Sequence, residues 1–246
     1  MELDKSNVLV MVHALNEQES VGTVISSLKN HGYQVLLISD GSTDGTAAIG
    51  RSLGIPVLEL PINLGVGGAL RAGFKYACRH GYEAVVQVDA DGQHPENEIE
   101  NLIRAAKEEG AHMVIGSRFI GNGSPMKVAG IRRIAMMVLA RSASAAADRK
   151  VTDSTSGFRL IRQPLLGQFS LQFANNYLGD TYESVVSAGR AGYSISEIPA
   201  GLRYRTHGES TASTGSAVRF TLKGLGVWML GFHRRIASPE GGLDRS

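Results

Sequence analysis

Ala84-Val85-Val86-Gln87-Val88-Asp89-Ala90-Asp91-Gly92-Gln93-His94-Pro95 changes character halfway along its length. It opens as an apolar run of strand length and ends on acids, a glycine and a proline. A short run of this kind, bounded by turn residues, is the pattern of a strand buried on both faces, as parallel sheets require. In an extended segment, residues two apart point the same way. Asp89 and Asp91 therefore converge, and two convergent carboxylates suit one hard divalent cation. Mg²⁺ or Mn²⁺ held by few protein oxygens completes its shell with substrate phosphates. Gln93 adds a carbonyl oxygen within reach, and Pro95 stiffens the turn. A solvated acidic turn is the competing reading, but a position directly after an apolar strand favours the metal.

Outward from this stretch the same alternation repeats. Residues 8–12, 35–38, 57–60 and 113–115 are further short apolar runs, and 17–30, 43–53, 67–80 and 97–109 have helical spacing. Strand–helix alternation predicts an α/β fold with a mostly parallel central sheet, right-handed crossovers and flanking helices. Ligands on such sheets bind beyond the carboxyl ends of the strands. Those ends read HALNE, SDGSTDGT, NLGVGG, DADGQHP and GSRF, all polar or glycine-rich. Beyond residue 120 the alternation weakens. Residues 131–147 and 177–191 look helical, 152–157 turn-like, 193–204 extended, and 217–236 form a final amphipathic helix that carries Trp228.

Asp40, opening DGSTDGT after its strand, is placed to accept from a base N–H or a ribose hydroxyl; a turn that caps the next helix is the plainer reading. The segment from Asn63 through Gly67 to Gly73 resembles a phosphate-cradling loop. It fits neither G-x-G-x-x-G nor the P-loop, which disfavours dinucleotide oxidoreductases and nucleotide hydrolases. Its glycines would let the helix pack close to the sheet.

Bulk properties narrow the class further. A chain of 246 residues with net charge +2 lacks the strongly basic balance of a nucleic-acid binder, so no nucleic-acid partner is expected. One cysteine, Cys78, allows no intrachain disulfide, and the cytosol is the natural compartment. The longest late apolar run, residues 225–232, falls far short of the roughly 20 residues of a spanning helix. The expectation is a cytoplasmic protein. Basic stretches at 131–150 and 201–236 suit peripheral contact with an anionic membrane face.

Taken in order, HALNEQES, DGSTDGT, NLGVGGALRAGF, DADGQHP, GSRF, DSTSGFRLI, EIP and THGES resemble the family-2 glycosyltransferases of the GT-A fold. Within them the pattern is most similar to the branch of dolichol-phosphate mannose synthase and the polyprenyl-phosphate glycosyltransferases. The resemblance covers roughly residues 8–210, which implies a catalytic domain over 1–210 and an amphipathic helix and tail over 211–246. It implies that Ala14, Leu15, Glu17 and Asp40 line a nucleoside pocket, with Asn63 and Gly67 beside the nucleotide sugar. Asp89, Asp91 and Gln93 would hold Mg²⁺ or Mn²⁺, with the Ala90 backbone near the ribose. Arg118 and Arg133 would face the sugar or an acceptor phosphate, and Arg205 the donor pyrophosphate. Two positions depart from the family pattern: His13 stands where Pro is usual, and Thr211 where Lys is common.

The implied reaction is an inverting displacement at the anomeric carbon of a GDP- or UDP-linked sugar. A polyprenyl phosphate acceptor is already anionic and needs no protein base. A hydroxyl acceptor on a small molecule or protein would need one, and Asp180 and Glu183, three apart on one helical face, are the candidates. A sugar nucleotidyltransferase would carry a Gly- and Arg-rich loop where HALNE stands. A non-catalytic nucleotide-sugar binder would have no need of the intact Asp89, Asp91 and Gln93.

Overall fold

A computed structural model describes residues 3–120, 131–173, 180–201 and 236–239, with the side chains of 131–135 and 180 left out. The expected final helix and the 210/211 boundary lie outside the described residues. Strands β1 (Val8–Ala14), β2 (Gln34–Ser39), β3 (Val57–Glu59) and β4 (Ala84–Asp89) alternate with helices α1 (Val21–Asn30), α2 (Thr46–Ser52) and α3 (Gly65–Arg79). Then follow α4 (Glu98–Glu108), β5 (Met113–Ser117), α5 (Ile131–Ala147), β6 (Arg159–Arg162), α6 (Leu165–Gln172), α7 (Asp180–Arg190) and β7 (Ile195–Pro199). The strands form one sheet in the order β3-β2-β1-β4-β6-β5-β7. The α/β expectation holds. β1 to β4 pair in parallel, as do β5 and β7, while β6 runs antiparallel to both β4 and β5.

Both faces of the sheet are covered, so the central strands are apolar at nearly every position, and side chains alternate between two cores. Val8, Val10, Val12, Val86 and Val88 pack with Ile25, Leu28, Ile99 and Leu102 on one side. Leu9, Met11, Ile38 and Val85 pack with Phe74, Phe169, Phe173 and Val186 on the other. Each such side chain contributes about 1.5–3 kcal/mol on full burial. Gly73 shows why the glycine-rich helix lies flat on the sheet. A Cβ there would stand 2.5 Å from Ile38 Cδ1 and 2.7 Å from Met11 Sδ.

β6 and α6 are absent from the sequence reading. β6 is four residues long with arginine at each end, too short and too charged to show a strand period. Its direction matters for function. Because β6 is antiparallel, its start lies at the edge where its parallel neighbours end, and it brings residues 153–158 there.

Candidate active site

β1, β2, β4 and β5 end at one edge of the sheet, and β6 begins there. His13 lies in register with Asp89, Ala14 with Ser39, and Gln87 with Arg159. The acidic pair stands in the middle of this edge. The Asp89 side chain is 50% exposed. Asp91 is 7% exposed, and its Oδ1 accepts the Gln93 N–H at 3.0 Å, closing a turn in which Gly92 takes φ +77°. That left-handed backbone favours glycine. The Ala90 N–H donates to the His13 carbonyl at 3.2 Å, tying the acidic loop back to β1.

His94 closes the same turn. Its Nδ1 accepts the Asp89 N–H at 3.0 Å, which leaves the proton of the neutral ring on Nε2. That Nε2 lies 3.8 Å from Asp89 Oδ2, and the ring stacks on Phe158 with centroids 5.0 Å apart. Beside the ring stands Gly157, where an added Cβ would come 3.5 Å from Asp89 Oδ2. Among the described residues no group of three or more His, Cys, Asp or Glu side chains is assembled around a metal. The oxygen donors on hand are two carboxylates and Gln93, one carboxylate open to solvent. Such a partial, oxygen-only set fits a hard cation that takes the rest of its shell from phosphate.

On one flank the loops after β1 and β2 are laced together. Asn16 Oδ1 accepts the Thr43 N–H at 2.8 Å, Asp44 Oδ2 accepts from the Gln18 N–H at 3.1 Å, and Gln18 Oε1 from the Gly45 N–H at 2.9 Å. The Glu17 N–H donates to Thr46 Oγ1, and its carboxylate accepts from Ser20. Asp40 is only 1% exposed. Its Oδ1 accepts the Leu64 N–H at 2.8 Å, and Oδ2 faces His13 Nε2 at 3.7 Å, beyond hydrogen-bond length. Burial alone would raise the Asp40 carboxyl; His13 and the Leu64 and Gly65 N–H groups outweigh it and hold it below the usual carboxylate range. In this structure Asp40 fastens the loop before α3. Gly41 makes room for that loop, since a Cβ there would meet Asn63 N at 2.5 Å. Asn63 is exposed and its side chain accepts the Gly65 N–H, while Gly67 is buried in α3 and Ala14 in β1. Leu15 remains partly exposed at the rim.

The other flank is a charged interior. Arg118, expected at the sugar or acceptor phosphate, puts Nε and one terminal nitrogen on Asp153 at 2.7 Å each, and the same nitrogen on Thr155. Its fork is spoken for by protein. The side chains are 17% and 0% exposed. Burial pushes the Asp153 carboxyl up, and Arg118 more than offsets this, leaving it depressed. Glu197 on β7 accepts the Thr152 and Asp153 N–H groups at 2.7 and 2.6 Å. Arg159, fully buried, donates to the Ser154 and Ser156 carbonyls, to Thr181 and to Ser184. It thereby joins the 154–156 turn to the start of α7.

Glu183, expected beside an acceptor hydroxyl, is 2% exposed within that helix. Asp180 opens α7 and Arg133 lies in α5, both with side chains outside the description, and Arg205 is outside the described residues. His94, Asp153, Arg159 and Glu197 were not singled out in the sequence. His94 stands within DADGQHP, Asp153 and Arg159 within DSTSGFRLI, and Glu197 opens EIP, so the motifs contained them without marking their roles.

Comparison with known proteins agrees with this geometry. Residues 9–169 match glycosyl transferase family 2. The chain is 29% identical over 234 residues to polyprenol monophosphomannose synthase of Mycolicibacterium smegmatis, covering 89% of this chain and 86% of that one. It is 28% identical over 241 residues to undecaprenyl-phosphate mannosyltransferase of Micrococcus luteus, covering 93% and 98%. In fold it is similar to glucosyl-3-phosphoglycerate synthase of Mycobacterium tuberculosis, a structure in complex with Mn²⁺, uridine diphosphate and phosphoglyceric acid. That match has TM-score 0.68 and 20% identity over 89% of this chain and 77% of that one. With a match spanning the sheet edge and its acidic turn, this chain belongs to glycosyl transferase family 2.

Proposed function

We propose that this glycosyltransferase moves a sugar, with inversion, from a GDP- or UDP-linked donor to the phosphate of a polyprenyl lipid. The observation that carries the reading is the end-to-end similarity to undecaprenyl-phosphate mannosyltransferase. The structure adds a second support. A hydroxyl acceptor needs a base, and Glu183, one of the two candidates, is 2% exposed within α7. A phosphate acceptor needs none.

Asp89, Asp91 and Gln93 would hold Mg²⁺ or Mn²⁺, which supplies positive charge against the departing diphosphate. The acceptor phosphate oxygen attacks the anomeric carbon, and the bond from that carbon to the diphosphate oxygen breaks. The electron pair leaves with the nucleoside diphosphate. Ala14, Leu15, Glu17, Asn63 and Gly67 border the nucleoside side, with Asp40 shaping it through the Leu64 contact. Arg205 serves the donor pyrophosphate and Arg133 the acceptor phosphate. Arg118 acts on the acceptor side through the loop it fastens. Residues 1–210 form the catalytic domain, and the basic tail over 211–246 meets the cytoplasmic membrane face. No helix among the described residues is long and apolar enough to cross a membrane.

The fold neighbour crystallised with phosphoglyceric acid favours a second reading, a small hydroxyl acceptor. A direct assay separates the two. Radiolabelled UDP- and GDP-sugars are incubated with Mn²⁺ and either undecaprenyl phosphate in detergent or 3-phosphoglycerate. Label in the organic phase, released by mild acid, is expected. Label only in a water-soluble product overturns the lipid acceptor.

A further inference from the structure

His94 takes no part in the reaction just described, yet its ring faces the Asp89 carboxylate at 3.8 Å. The residue is 8% exposed, and its stack on Phe158 keeps the ring from swinging outward. One ring nitrogen accepts the Asp89 peptide N–H, and the other faces the Oδ2 of the same residue. The 3.8 Å gap exceeds a hydrogen bond. Nε2–H therefore acts as a dipole aimed at the carboxylate and leaves its oxygens available to a ligand. Beside the ring Gly157 offers no side chain: a Cβ there would lie 3.5 Å from Asp89 Oδ2 and 3.9 Å from His94 Cε1. A half-exposed aspartate spreads over several rotamers unless its surroundings select one. Here the ring and the Gly157 backbone beside it border Oδ2 and favour the rotamer that faces them.

We propose that His94 is a positioning residue for the cation site: it pre-sets the Asp89 carboxylate through a peptide N–H on one ring edge and a dipole on the other. The inference rests on the assignment of a divalent cation to Asp89 and Asp91. Outer partners of metal-binding carboxylates typically hold about 10–100-fold of metal affinity.

The test is a Mn²⁺ titration of the full chain at saturating UDP and, in parallel, GDP, with free Mn²⁺ read by electron paramagnetic resonance. Wild type, His94→Asn, His94→Gln and Asp89→Asn are compared. Asparagine places its amide oxygen near the Nδ1 position and keeps the Asp89 N–H satisfied, but it lacks the second donor. Glutamine is long enough to bring an amide N–H near the Nε2 position. His94→Asn should bind Mn²⁺ about tenfold more weakly, with metal-free nucleotide affinity and melting temperature near wild type. His94→Gln should recover part of the loss, and excess Mn²⁺ should restore His94→Asn turnover. If both His94 variants bind Mn²⁺ like wild type while Asp89→Asn does not, His94 only fills the turn and the proposal falls. If Asp89→Asn also binds like wild type, the cation assignment itself fails. Should His94→Asn not fold, His94→Gln decides by the same criterion, with wild-type Mn²⁺ affinity and lost Asp89→Asn binding overturning the proposal.

Discussion

Asp89 and Asp153 stand at the same sheet edge, one closing β4 and the other in the loop that leads into β6, and their surroundings are opposite. The Asp89 side chain is half exposed, with an imidazole at 3.8 Å and a glycine as neighbours. Asp153 is wholly buried, with a guanidinium bonded to both its oxygens and the Glu197 carboxylate on its own N–H. The first arrangement leaves charge available to a ligand. The second cancels it inside the protein. An acidic residue at a functional edge is thus a candidate ligand only when its neighbours leave it uncompensated, a property of packing that residue type does not reveal.

The comparison breaks most visibly at Arg118. Arg118→Ala strands the Asp153 charge in the interior, and removing one partner of a buried pair costs about 3–5 kcal/mol. Urea or thermal unfolding should show a loss of that size, and a loss below about 1 kcal/mol would mean that the pair is not a rivet. Next comes Asp89→Asn. Turnover should fall beyond the roughly 10–100-fold typical of outer metal partners, while stability stays within about 0.5 kcal/mol, as for surface substitutions. Full activity in that variant, or in excess chelator, would remove the metal from the reaction.

Asp40→Ala lies between the two cases, because Asp40 is buried like Asp153 yet borders the nucleoside side. Losing the charged acceptor of the Leu64 N–H should cost about 1.5–3 kcal/mol of stability. Free nucleoside diphosphate and nucleotide sugar should weaken by the same factor, measured by calorimetry. Unchanged affinity for both would confine Asp40 to the loop. The smallest effect is a slope with pH. Asp153 and Asp40 both titrate below the ordinary aspartate value of 3.8 in the folded chain. A depressed carboxyl binds fewer protons folded than unfolded, so its contribution is present above that value and lost as pH falls through the lower folded values. Stability should drop in acid below about pH 4, and Asp153→Asn should flatten the drop. An equal slope in that variant would contradict the assignment.

The sheet's N-terminal half was legible in the sequence because burial on both faces writes itself as unbroken apolar runs. The strands at 8–14, 34–39 and 84–89 and the acidic turn follow from that. Helix starts slipped where side chains intervene. Asp44 takes the Thr46 N–H, so α2 begins at Thr46, three residues later than its period suggests. β6 was not legible, since a four-residue strand with arginine at each end has no period to read. Nor was the destination of Arg118, whose partner lies 35 positions along the chain. A lone arginine at a strand end looks the same whether it awaits a phosphate or grips a carboxylate.

The antiparallel strand has a further consequence, for the order of assembly. β5 never touches β4; β6 separates them. On the ribosome, β1 to β4 are complete once residue 89 has emerged and join directly to one another. β5 emerges soon after but has no neighbour until residues 159–162 arrive to bridge it to β4, and β7 follows later still. At about 5–20 residues per second, the nascent protein carries an unsatisfied β4 edge for seconds, and the wedge that closes it is the strand that also carries the 153–158 loop into place. The four-strand unit can thus form before the site is complete, and the strand that ends the exposure of that edge is the one that brings Asp153 and Gly157 to the site.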